Sequence, residues 1–156
     1  MNGLIVYFSR TGRTRKVAKA IQAATDFDLE EIEEEVGRGG PLGFLKSGME
    51  STRRMLPKIK PLTRNPSEYD IVVIGTPMWA ANMSSPIRAF ITEHKDTINT
   101  FALFCTGDGD EAEKVFASIS ELMGKNPQST LGLIGTDRKD EIATLRIQVF
   151  AEKLRV

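Results

Sequence analysis

Four short apolar runs, Leu4 to Phe8, Ile71 to Gly75, Phe101 to Cys105 and Leu131 to Gly135, are separated by helical patterns, and this alternation leaves few folds open. Each run is bounded by turn or polar residues and reads as a buried parallel strand. Val17, Ala20, Ile21 and Ala24 define one helical face between them, and Val115, Phe116, Ile119, Leu122 and Met123 another. A third helix is expected from Pro86, capped by Ser85, because proline is tolerated at the first helical position. The last runs from about Asp140 to the end, with Ile142, Leu145, Val149 and Phe150 facing inward. Strand and helix in repeated alternation imply a doubly wound α/β sheet.

Between Asp26 and Glu35, seven carboxylates interrupt Phe27, Leu29 and Ile32, which suits a short strand with one wet face near the sheet edge. Gly37-Arg38-Gly39-Gly40-Pro41 then breaks the pattern, and a helix is expected from Leu42 to Leu56, stopped by Pro57. The 156 residues, 40% of them hydrophobic, suffice for one core, so a single domain over 1-156 is expected. Basic and acidic residues both number 21, which removes any general electrostatic case for nucleic acid or membrane binding. No apolar run is long enough for a membrane span, and the N-terminus enters a strand pattern without a basic leader or cleavage site; a cytoplasmic location is expected. One cysteine, Cys105, and one histidine, His94, exclude an internal disulfide and Cys/His metal spacing. Cys105 reads as a small apolar core residue and His94 as an exposed helix-end residue; neither receives a catalytic role.

In an open parallel sheet, ligands bind outside the carboxyl ends of the strands, where strand order reverses, so the loops after the strands carry the chemistry. After the first strand, Ser9-Arg10-Thr11-Gly12-Arg13-Thr14 offers three hydroxyls, a permissive glycine and backbone N–H groups leading into a helix N-terminus. That combination suits a phosphate, with Arg10 and Arg13 flanking it, although a hydroxyl-rich turn also serves as a plain helix cap. The third strand ends in Gly75-Thr76-Pro77-Met78-Trp79-Ala80-Ala81-Asn82-Met83. Its tryptophan, the only one in the chain, can stack on a flat heteroaromatic ring or pack into the core. Thr106-Gly107-Asp108-Gly109-Asp110 follows the fourth strand; its glycines permit close backbone approach to a ring edge, and Asp110 is expected to cap the next helix.

These three loops resemble the FMN-contacting loops of flavodoxins, and the similarity spans essentially the whole chain. The resemblance implies a flavodoxin-like α/β fold: a doubly wound five-stranded parallel sheet of order 2-1-3-4-5 in three layers, α/β/α. It implies FMN as cofactor. Ser9 to Thr14 would hold the phosphate, Met78 to Ala81, flanked by Pro77 and Asn82, would cover the ring, and Thr106 to Asp110 would contact its pyrimidine edge. The stretch from Gly75 to Arg88 is closer to a branch of bacterial and archaeal flavodoxin-family proteins than to the small acidic electron carriers.

Three departures from those carriers bear on function. No aromatic stands in the glycine loop, so one ring face is expected to be open. Ala80 and Ala81 replace the glycine usual beside the ring and are expected to resist positive φ, which would disfavour one-electron chemistry. The seven carboxylates before Val36 are balanced by seven basic residues and one acidic between Val36 and Arg64, including Arg53, Arg54, Lys58 and Lys60, which suit an acidic redox partner or an anionic cofactor such as NADPH as well as a solvated face. The expected function is electron transfer through bound FMN, with an FMN-dependent NAD(P)H oxidoreductase acting on quinone-like or other planar acceptors as the alternative. Expected partners are a redox partner protein or NAD(P)H, with a homodimer left open. A receiver domain would need acidic residues where Ser9 and Thr76 stand, and neither a nucleotide P-loop nor a phosphatase cysteine loop is present.

Overall fold

The computed structural model describes residues 1–35, 56–135 and 139–156, together with Leu42, Leu45 and Met49. Strands β1 (Gly3–Tyr7), β2 (Asp28–Glu31), β3 (Ile71–Trp79), β4 (Asn82–Met83), β5 (Phe101–Gly107) and β6 (Thr130–Ile134) alternate with helices α1 (Arg13–Thr25), α2 (Ser85–His94), α3 (Ala112–Met123) and α4 (Asp140–Leu154). The parallel strands lie in the order β2-β1-β3-β5-β6. Setting aside β4, which pairs antiparallel with β3 alone, this is the expected 2-1-3-4-5 order with the acidic strand at one edge. Of the helix expected from Leu42 to Leu56, the described residues include Leu42, Leu45 and Met49, all helical, and Leu56, which is not. The rest of it, the break at Gly37 to Pro41, and Arg53 and Arg54 lie outside the described residues.

Successive strand side chains point to opposite faces, so each apolar run feeds two cores. Leu4, Val6, Val72, Ile74, Leu103 and Cys105 pack against Ile87, Phe90 and Ile91 of α2 and Val115, Phe116 and Ile119 of α3. Ile5, Tyr7, Val73, Ala102, Phe104 and Leu133 pack against Ala18 and Ile21 of α1 and Ile147, Phe150 and Leu154 of α4. Gly75 is a packing glycine: a Cβ there would fall 2.0 Å from the Phe104 ring.

Two helical faces depart in part from those expected. α1 buries Thr14, Ala18, Ile21 and Thr25, with both threonine hydroxyls hydrogen-bonded, while of the expected face Ile21 is fully buried, Val17 and Ala20 pack half-buried against the same core and Ala24 is half-buried. α4 buries Ile147, Phe150, Ala151 and Leu154, while Ile142, Leu145 and Val149 are exposed; only Phe150 faces inward as expected. The helix has apolar residues all round, and the sheet takes the bulkier, more C-terminal set. The caps also shift: α2 is capped by Ser84, with Ser85 its first residue, and α3 by Glu111 rather than Asp110. His94 does end its helix but is half-buried, its ring 5.1 Å from that of Phe90. Among the described residues, no helix is long and apolar enough to cross a membrane.

Candidate cofactor site

β1, β3 and β5 are neighbours in the sheet and all point the same way, so their carboxyl ends bring the three loops of interest together. Arg10, Thr11, Arg13, Thr14, Pro77, Met78, Trp79, Thr106, Gly107 and Asp108 line one cleft of about 90 Å³. Ser9 faces the neighbouring hollow above β2, beside Phe8, Arg10 and Glu31. Gly12, Ala80, Ala81, Asn82 and Gly109 stand outside the cleft walls.

The first loop is shaped around an oxygen. Gly12 caps α1 at φ 100°, a left-handed conformation that favours glycine, and thereby turns the chain back over the helix end. The Gly12 N–H, at 3.0 Å, and the Arg15 N–H, at 3.3 Å, both donate to Ser9 Oγ. The N–H groups at the start of a helix lack intrahelical partners, and the helix dipole favours negative charge there. The loop is tied to the β5 loop by a buried contact of 2.9 Å between the Thr14 and Thr106 hydroxyls, and by Arg13 donating to both Asp108 carboxylate oxygens at 3.2 and 3.3 Å. Arg15 faces away from the cleft and grips Glu31 at 2.6 and 3.0 Å, while Tyr7 donates to the same carboxylate. Burial first, and then the Glu31 charge, pushes the Tyr7 hydroxyl up to about 12. The Glu31 carboxylate in turn holds the Arg15 guanidinium firmly protonated.

The second loop is a hairpin rather than an open loop. β3 continues past Gly75 by pairing Thr76 and Pro77 with β5, and then Met78 and Trp79 with β4. Ala80 and Ala81 make the two-residue turn, and both have positive φ, 49° and 57°. The expectation that alanine would resist this conformation is overturned: a two-residue hairpin whose twist matches its strands needs φ > 0 at both central positions, and the pairing of Trp79 with Asn82 imposes it. The hairpin is pinned at its base by the Ser84 N–H donating to Thr76 Oγ1 at 2.9 Å. Asn82 is spent on its neighbour, accepting from the Met83 N–H at 2.8 Å.

Trp79 combines both roles offered by the sequence. It is only 5% exposed and packs edge-to-face on Phe8, with ring centroids 5.4 Å apart, yet it still walls the cleft. Met78 occupies the other side. A Cβ on Gly107 or Gly109 would come within 3.0 or 2.8 Å of its methyl, so glycine there leaves room for a flexible thioether where a second aromatic is missing. Burial pushes the Cys105 thiol, beneath the cleft, up to about 12, in keeping with an inert core residue.

Thr76, Ser84 and the Tyr7–Glu31–Arg15 group have no place among the sequence-derived site residues. The threonine and serine carry a weak signal, two hydroxyls flanking the hairpin; the pairing of Arg15 with Glu31 across two elements carries none.

Fold and cleft together define a doubly wound α/β protein with a cleft at the topological switch point between β1 and β3, where this class of sheet binds its ligands. Residues 2–132 match the family described as flavodoxin, and the chain belongs to that family. Among solved structures it is similar to a Bacteroides eggerthii protein assigned to the flavoproteins, at 25% identity and TM-score 0.82, covering 99% of this chain and 98% of that one. A Lactobacillus acidophilus flavoprotein in complex with FMN is 23% identical at TM-score 0.74, covering 84% and 92%. A Streptococcus pneumoniae flavodoxin is 18% identical at TM-score 0.62, covering 99% and 98%. No curated protein matches the chain.

Proposed function

We propose that this chain binds FMN and passes electrons through it. The observation that carries the reading is the cleft at the N-terminus of α1, where Arg10, Thr11, Arg13 and Thr14 meet Met78, Trp79 and the glycine loop after β5. Hydroxyls and cations at a helix N-terminus, joined to a narrow slot with an aromatic wall, suit a phosphate joined to a flat ring. Membership of the flavodoxin family and the FMN complex of the Lactobacillus acidophilus relative support the same cofactor here.

In this reading the Ser9, Thr11 and Thr14 hydroxyls and the loop N–H groups hold the phosphate, and Arg10 and Arg13 offset its charge. Trp79 and Met78 flank the ring, while the backbone at Gly107 approaches its edge. Met78 must swing off the glycine loop to admit a tricyclic ring, since the cleft holds only about 90 Å³. FMN supplies the redox chemistry when bound, and the protein tunes it by contact, hydrogen bonding and charge. The Cys105 thiol and the Tyr7 hydroxyl, both pushed up to about 12, keep their protons at neutral pH, so neither serves as a base.

Fluorescence titration of the purified chain with FMN tests the cofactor. Saturable quenching is expected, together with its loss in the Ser9→Val/Thr11→Val double variant; a chain that rejects FMN overturns the reading. Potentiometry resolved into two one-electron steps, with no bleaching by NADPH on a catalytic timescale, is the outcome expected of a carrier. Rapid bleaching would transfer the assignment to the NAD(P)H oxidoreductase class, for which the lack of an aromatic in the glycine loop leaves room.

A further inference from the structure

Ala102, Phe104 and Thr106 alternate along β5 and so share the side of the sheet that faces α1, where Ala102 and Phe104 enter the core. At Thr106 the strand is still paired, with Pro77 on one side and Leu133 on the other, so the sheet fixes its position and the loop that follows does not. Its hydroxyl meets that of Thr14, the second residue of α1, at 2.9 Å. Thr106 and Thr14 are only 3% and 2% exposed, yet both border the cleft. Two hydroxyls carry two protons, and only one can lie between the two oxygens. Among the described residues neither hydroxyl has a second partner. The other proton therefore sits on whichever hydroxyl accepts, and because a buried donor without an acceptor is costly, it is available to a ligand in the cleft.

We infer that Thr106 is a positioning residue for the phosphate of the cofactor: it donates to Thr14 Oγ1, which turns the Thr14 proton into the cleft and makes Thr14 a donor to a phosphate oxygen. This rests on the FMN reading above. The ligand selects the direction of the bond, since the oxygens of a phosphate dianion only accept. Were Thr14 the donor to Thr106, its oxygen would face the phosphate with lone pairs alone and repel it. With Thr106 donating, the Thr14 hydroxyl joins the Arg13 and Thr14 N–H groups, which open α1 without intrahelical partners, on a single anion. The role differs from the ring-edge contact expected of Thr106 from the sequence. It gives the site a preference for FMN over riboflavin, which carries the same ring without the phosphate.

Fluorescence titrations of the full chain with FMN and with riboflavin read that preference. Thr106→Val, close in shape but without the hydroxyl, is expected to weaken FMN binding about tenfold and riboflavin binding less than about twofold. Retained riboflavin binding also reports that the variant is folded. Thr106→Ser is expected to restore FMN binding. Thr14→Val and the Thr14→Val/Thr106→Val pair are expected to bind FMN equally weakly, because Thr106 acts through Thr14 and the two losses do not add. Equal losses for both flavins, losses that add in the double variant, or a serine that fails to restore binding would each overturn the inference and leave the cofactor reading standing. A wild-type chain that rejects FMN overturns both.

Discussion

At the scale of single residues, Ala80 and Ala81 show a backbone demand overriding side-chain preference. Each alanine held at positive φ costs about 1 kcal/mol, and the hairpin imposes it twice. Replacing the pair with the turn sequence favoured for such hairpins, Ala80→Asn with Ala81→Gly, is expected to raise stability by about 1 kcal/mol, visible as a melting temperature ~2–4 °C higher in thermal denaturation. Alanine carries no turn signal, which is why this hairpin was invisible in the sequence although Trp79 beside it was conspicuous. Tyr7 makes a second demand. Its folded-state pKa lies above the unfolded value near 10, so the folded chain holds the proton more tightly; the resulting stability is present below pH 10 and is lost as pH rises toward about 12. Alkaline unfolding followed by circular dichroism should show this loss, and Tyr7→Phe should remove its share of the pH dependence.

Among the elements, the three central strands β1, β3 and β5 were legible because parallel strands covered on both faces must be apolar throughout, and Leu4, Ile5, Val72, Val73, Ala102 and Leu103 are. Helix faces were less so. Hydropathy ranks Thr14 and Thr25 as surface residues, yet each is buried with its hydroxyl satisfied, Thr14 by Thr106 across the sheet end and Thr25 by the Ile21 carbonyl one turn back in α1. In α4, Ile142, Leu145 and Val149 compete on equal terms with Ile147, Phe150 and Leu154, and only the position of the sheet decides between them. The meeting of the three candidate loops at one cleft was legible because they follow adjacent strands, whereas their cross-links, such as Arg13 with Asp108, depend on rotamers that spacing does not encode. The β3–β4 hairpin is secured at its base by the buried Thr76 hydroxyl. Thr76→Val keeps the shape but leaves the Ser84 N–H without its acceptor, and a loss of about 1–3 kcal/mol is expected in urea denaturation.

For the whole molecule, the net charge of zero sets the electrostatic background of the cleft. Adding electrons to a bound cofactor builds negative charge, which a surplus of carboxylates would oppose; here there is no surplus, and Arg10 and Arg13 stand at the cleft. The expected midpoint potential of the FMN-loaded protein therefore lies above that of strongly acidic carriers, and a redox titration returning an unusually low value would count against this.

The Thr14–Thr106 contact joins residues 92 positions apart. During synthesis, the Ser9 to Thr14 loop leaves the ribosome long before the strand that completes the cleft. Until β5 has emerged, a nascent chain holds the first wall of the cleft without the one that Thr106, Gly107 and Asp108 supply. Completion of the cleft is thus tied to chain growth: a translation product that stops short of β5 leaves the Thr14 hydroxyl without its Thr106 partner and the cleft open on that side.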